Sequence, residues 1–277
     1  MKIDAHQHFW KYHPVRDAWI DDRMQVLQRD FLPSDLEPLL KEAGMAGSVA
    51  VQADQSETET LFLLELAETN PSVKAVVGWV DLLAENIAER LAHFSEYKKL
   101  AGFRHIVQAE KDEHFLLRDN FCRGISALSA HDFTYDILVY PHQLNSVLQF
   151  VRRFPNQKFV IDHLAKPNIK DRQFSEWSST MREIARQENV WCKVSGMVTE
   201  ADWQHWKYEH FLPCLDLVTA AFGTRRLMYG SDWPVCLLAA DYQQTFGLAS
   251  RYYESFSTAE KEDIFGKVAQ AFYRIPQ

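Results

Sequence analysis

Met1-Lys2-Ile3-Asp4-Ala5-His6-Gln7-His8-Phe9-Trp10 reads as a β-strand that carries two histidines toward its far end. Side chains two apart on a strand share a face, so His6 and His8 project to the same side. Two convergent imidazoles suit a divalent metal, or act as paired hydrogen-bonding groups at a reacting carbonyl. Outward from this stretch, short β-branched or apolar runs alternate with longer segments of helical period. The strands read as Lys2–His8, Ser48–Gln52, Val73–Val80, Ala101–Val107, Thr134–Val139, Lys158–Asp162, Val190–Val194 and Arg226–Tyr229. Helical patterns fall at Pro33–Ala43, Glu57–Thr69, Leu83–Tyr97, Asp119–His131, from Pro141 onward, and at Arg172–Glu188, Tyr208–Phe222 and Ser257–Tyr273. Strands separated by helices imply parallel βαβ units, and eight such units predict an α/β fold, a single (β/α)8 TIM-type barrel with room for distortion. No Pro/Gly/Ser-rich linker or charge block divides the sequence, so one domain over residues 1–277 is expected.

Composition narrows the class of partner. A net charge of −8 over 277 residues argues against a nucleic-acid surface and gives no attraction to anionic membranes. No run of eighteen or more apolar residues occurs, so no membrane-spanning helix is expected. The opening is a patterned strand without a signal-peptide core, and Cys122, Cys192, Cys214 and Cys236 form no CxxC pair. Both features predict a cytoplasmic protein with reduced thiols. Its partner is then a small-molecule substrate, and a homo-oligomer is compatible with the composition.

A barrel of this kind places its chemistry at the C-terminal ends of the strands. Each candidate can therefore be tested by position. His6 and His8 end the first strand, Gln52 the second and Trp79 the third. Arg104 and His105 come late in the fourth, His142 just past the fifth and His163 at the end of the sixth. Lys193 and Ser195 close the seventh, and Asp232 follows the eighth.

Three ordered stretches carry a resemblance: Asp4-Ala5-His6-Gln7-His8-Phe9-Trp10, Asp162-His163-Leu164-Ala165-Lys166-Pro167 and Gly230-Ser231-Asp232-Trp233-Pro234. Gly102–Gln108, Trp191–Gly196 and Val198–Glu200 support them. Together they resemble the amidohydrolase superfamily, in its amidohydrolase-2 branch that contains sugar lactonases of the L-fuconolactonase and L-rhamnonolactonase type. The resemblance implies an active site of His6, His8, His163 and Asp232, with Asp232 as the general base that deprotonates water. It also implies lactone hydrolysis in carbohydrate metabolism, with L-fucose catabolism as the setting.

Arg104 departs from the pattern of two-metal relatives, which place a bridging lysine or glutamate near this point. A guanidinium is permanently charged and donor-only, so it cannot bridge cations. Arg104 is expected instead to hold a carboxylate or the oxyanion formed when water adds to a lactone carbonyl. Two alternatives stay open: one divalent ion, zinc first, on His6, His8, His163 and Asp232, or a metal-free site. Gln52, Trp79, His142, Lys193 and Trp233 are expected to contact substrate through hydroxyl bonds and an apolar wall. The rival activities are hydrolysis of an aromatic-derived lactone and metal-dependent decarboxylation. A non-catalytic sugar-acid binder is disfavoured, because binding alone needs no carboxylate set among three histidines.

Overall fold

The structure, a computed structural model, describes residues 1–276. Eight parallel strands pair in chain order: β1 (Asp4–Gln7), β2 (Ser48–Val51), β3 (Val73–Gly78), β4 (Leu100–His105), β5 (Thr134–Ile137), β6 (Phe159–Ile161), β7 (Val190–Val194) and β8 (Leu227–Tyr229). The ring closes past the end of β8 rather than along it. Gln7 bridges Trp233, the Asp232 amide donates to the His6 carbonyl at 2.8 Å, and the His8 amide donates to the Trp233 carbonyl at 2.7 Å. The result is a distorted (β/α)8 barrel, as the alternation of elements predicts.

A helix follows each strand: α1 (Pro33–Glu42), α2 (Glu57–Thr69), α3 (Ile87–Phe94), α4 (Asp119–Leu128), α5 (Leu144–Arg153), α6 (Ser175–Ala185), α7 (Leu212–Phe222) and α8 (Tyr242–Tyr252). Local chemistry sets their ends. Ser56 caps α2 by accepting the Glu59 amide, and proline one residue beyond Asn70 ends it. The sequence reading has no helix at α8, although Asp241 and Gln244 form a reciprocal cap at its start. The expected helix over Arg172–Glu188 is shorter because Arg172 is left-handed, with φ 54°. The expected Ser257–Tyr273 helix is interrupted, as α9 (Thr258–Glu262), a π-helical turn at Asp263–Lys267 and α10 (Val268–Phe272). Among the described residues no helix is long and apolar enough to cross a membrane.

One irregularity decides which way the histidines face. Between Asp4 and Gln7 the register of β1 against β2 slips, with three steps on β1 opposite two on β2. Ile3 and Ala5 pack with Val49, Val51, Ala75 and Val77 inside the barrel, while the Asp4 carboxylate accepts from Tyr242 of α8 outside it. Strict alternation would send His6 outward with Asp4. The extra residue reverses the phase, so His6 and His8 turn inward.

Two apolar layers flank the strands. The larger lies between strands and helices, and a smaller one fills the barrel interior. Val268, Ala269, Phe272, Tyr273 and Ile275 enter this inner layer and plug the end opposite the site.

Candidate active site

Four buried side chains converge at the C-terminal rim. One oxygen of Asp232, Oδ1, lies 3.5 Å from His8 Nε2 and 3.8 Å from both His6 Nε2 and His163 Nε2. Two of the four backbones sit in the left-handed region, Asp232 at φ 59° and His163 at φ 54°. His163 begins a run of four such residues through Lys166, which turns the chain sharply after β6 and throws the imidazole inward. Left-handed geometry in β-carbon-bearing residues costs about 1–2 kcal/mol each, and such strain concentrates at functional sites.

Neighbours hold each ring. His8 Nδ1 meets the Val51 carbonyl at 2.7 Å, which must accept, so this nitrogen carries the proton. His163 Nδ1 lies 2.9 Å from the Ser195 hydroxyl. His6 Nδ1 lies 2.9 Å from the Lys193 ammonium, while Arg104 Nη1 approaches its Nε2 to 3.3 Å. Two glycines make room, since a β-carbon on Gly196 would fall 2.5 Å from His163 Nδ1 and one on Gly230 2.6 Å from His6 Cβ.

Electrostatics keep the imidazoles neutral and the carboxylate charged. Burial lowers His6 well below the usual range, and the Lys193 ammonium lowers it further. Burial also lowers His8 and pushes His163 down to about 4. For Asp232 burial acts upward, yet His163, His8 and Lys166 outweigh it and leave the carboxyl below its ordinary value. A charged carboxylate facing three neutral imidazoles can take a proton from water while an N–H of a ring other than His8 meets a developing negative oxygen.

The donor set suits one divalent ion. His6, His8 and Asp232 offer ligand atoms within 4.8 Å of one another, and His8 has its Nε2 lone pair free because Nδ1 donates to a carbonyl. His6 is the constrained member, with a cationic donor against each nitrogen.

The remaining expected residues separate. Arg104 is nearly buried and committed: Nη1 donates to Asp162 Oδ2 at 2.9 Å, and Nη2 to the Gln52 carbonyl and to Gln52 Oε1 at 3.2 Å. Gln52 and Lys193, expected to contact substrate, are instead fully buried and spend their polar atoms on Arg104, His6 and two aspartates. Trp233, expected as a wall for substrate, is packed edge-on against Phe9 and Phe31. His142 is exposed and stacks on Tyr140. Trp79 is half-buried, and its indole N–H meets His105 Nδ1 at 3.4 Å.

Asp136 and Tyr273 escape the sequence reading, and Asp162 enters it as the first residue of a motif, without a role. Lys193 Nζ lies 2.5 Å from Asp136 Oδ2 and 2.9 Å from Asp162 Oδ1, and the Tyr273 hydroxyl donates to Asp136 Oδ2 at 2.8 Å. An aspartate alone in the apolar run Thr134–Val139 was the one local signal.

Residues 3–275 match the sequence model of the amidohydrolase family. The chain belongs to the amidohydrolase family. It is 43% identical to a Burkholderia multivorans protein named L-fucono-1,5-lactonase, covering all of this chain and 97% of that one. A Burkholderia ambifaria protein of the same name is 37% identical, over 99% of this chain and 96% of its own. A crystal structure of a Burkholderia multivorans amidohydrolase with bound zinc superposes over 100% of both chains with a TM-score of 0.96 at 44% identity. Membership of the amidohydrolase family is thus established, and the described residues include a buried His/Asp group at the barrel rim that could hold one metal ion.

Proposed function

We propose that this amidohydrolase opens the ring of a sugar-acid lactone, with L-fucono-1,5-lactone as its substrate. The carrying observation is the Asp232 oxygen set against three imidazoles, in a chain 43% identical over its full length to a relative named for that hydrolysis.

Asp232 is the general base. Its carboxylate takes a proton as the water oxygen bonds to the lactone carbonyl carbon. Negative charge then gathers on the former carbonyl oxygen, where an N–H of His6 or His163, but not of His8, can donate. Arg104, Gln52 and Lys193 hold His6 in place for this. Collapse breaks the ring C–O bond, and the proton on Asp232 passes to the departing alkoxide. The products are a hydroxy acid and the restored carboxylate. A divalent ion, zinc by preference, would be held by His6, His8 and Asp232, with His163 beside them, and would supply Lewis-acid polarisation of the carbonyl. Trp79, half-buried at the end of β3, offers an apolar wall for the sugar ring. The enzyme is assigned to the cytoplasm, in sugar-acid breakdown.

The test is acid release from L-fucono-1,5-lactone, corrected for spontaneous opening, by wild type and Asp232→Asn with and without chelator. Turnover that falls about 10³–10⁴-fold in the variant supports the assignment. Inert behaviour on this and other aldonolactones overturns it in favour of an aromatic-derived lactone or acid, and chelator sensitivity decides the metal.

A further inference from the structure

We propose that Lys193 fixes the tautomer of His6, making its Nε2 a hydrogen-bond donor toward the reacting centre at the expense of its service as a metal ligand. Lys193 is a positioning residue in this scheme, because it touches His6 and not the substrate.

The assignment follows from groups with a single possible role. The Val51 carbonyl only accepts, so His8 Nδ1, 2.7 Å away, bears hydrogen and the Nε2 of neutral His8 is an acceptor. The Lys193 ammonium only donates, so His6 Nδ1, 2.9 Å away, is an acceptor. Neutral His6 then carries its hydrogen on Nε2, and His8 Nε2 lies 3.2 Å from it, ready to accept. The chain of donation Lys193 to His6 to His8 to Val51 is complete, with no nitrogen given two roles. Arg104 Nη1 stands 3.3 Å from His6 Nε2 and gives one of its two N–H groups to Asp162 at 2.9 Å, so it competes at Nε2 more weakly than Lys193, at 2.9 Å, acts at Nδ1.

Lys193 cannot easily leave. It is fully buried, with Asp136 Oδ2 at 2.5 Å and Asp162 Oδ1 at 2.9 Å. The opposite tautomer would place a hydrogen on Nδ1, aimed at Asp162 Oδ1 3.4 Å away, and would need Lys193 to withdraw. Metal ligation through Nε2 requires that opposite tautomer. Lys193 therefore opposes metal capture by His6 while favouring donation to a carbonyl oxygen that displaces His8 as the acceptor. The catalytic consequence rests on the lactonase assignment, whereas the tautomer does not.

The experiment is a long-range proton–nitrogen NMR correlation on ¹⁵N-histidine-labelled protein, stripped of metal at neutral pH, with zinc affinity measured separately by competition against a chromophoric chelator. Wild type is expected to show His6 with hydrogen on Nε2. Lys193→Met should move it to Nδ1 and tighten zinc by about 10–100-fold, the scale of outer-shell effects on metal affinity. Lys193→Arg, which keeps a cationic donor, should restore the wild-type pattern. Hydrogen on Nδ1 in the wild type overturns the proposal, and that measurement stands even where the methionine variant, which leaves Asp136 and Asp162 without their lysine, does not fold. A folded Lys193→Met with unchanged or weaker zinc binding overturns it as well. A wild type with the expected tautomer but no lactone turnover would sink the activity assignment and leave the tautomer intact.

Discussion

Gly196 presses so closely on His163 that a β-carbon built on it would stand 2.5 Å from the ring nitrogen Nδ1. The same glycine is left-handed at φ 62°, so a side chain there meets both backbone strain and a clash. Gly196→Ala should push His163 away from Ser195 and from Asp232. We expect a loss of about 1–3 kcal/mol in stability and at least a roughly tenfold drop in kcat, about 1.4 kcal/mol of barrier. Denaturant melts and lactone kinetics check both figures, and an alanine variant with wild-type turnover would refute the packing account.

Acid should switch the activity off late. His163 is pushed down to about 4 and Asp232 is held below its ordinary value, so both keep their working forms well into the acid range. kcat/KM is expected to stay flat from about pH 8 to about pH 5 and to fall as His163 gains a proton near 4. An inflection near 6.5, the ordinary histidine value, would contradict the burial of these rings.

Glu59 gives the opposite sign in stability. Burial raises its carboxyl to about 7 from 4.5, against the Ala53 and Asp54 amides that it accepts. Below 4.5 the folded and unfolded chains are both protonated, and between 4.5 and 7 the folded chain holds the extra proton. The stabilisation is therefore complete in acid and lost as pH rises through 7, by up to about 3 kcal/mol. Glu59→Gln keeps an acceptor for the two amides and removes the charge. The melting-temperature difference between variant and wild type should grow in the variant's favour from pH 5 to pH 8.

Removing one hydroxyl should loosen the barrel floor. Tyr273 donates to Asp136 Oδ2, while Asp136 Oδ1 finds no hydrogen-bond partner among the described residues. Tyr273→Phe leaves a fully buried carboxylate with Lys193 alone, for an expected cost of about 1–3 kcal/mol. Urea unfolding measures it, and an unchanged midpoint would show that the bond contributes nothing.

Much of this was readable in advance because barrel strands are short and their chemistry sits at predictable ends. The shared face of His6 and His8 is a property of any strand, whereas the set of His6, His8, His163 and Asp232 follows from the family resemblance and from their places at strand ends. Which face could not be read, since the slipped register between Asp4 and Gln7 reverses the phase and shows only in pairing with β2. Lys193 and Gln52 were placed at the correct strand ends, yet their partners were invisible. Lys193 is 57 residues from Asp136, and Tyr273 is 137 from it. Helix α8 lies outside the sequence expectation, although the reciprocal cap of Asp241 and Gln244 marks its start.

The seam between β1 and β8 has a kinetic meaning. Its last bonds run from the Asp232 amide to His6 and from the His8 amide to Trp233, so the residues of the rim are also the final staves of the barrel. Any breathing at this joint separates the Asp232 carboxylate from its imidazoles at the same moment that it exposes these two amides to solvent. Hydrogen exchange at His8 and Asp232 then counts directly the fraction of molecules that are, at that instant, out of service.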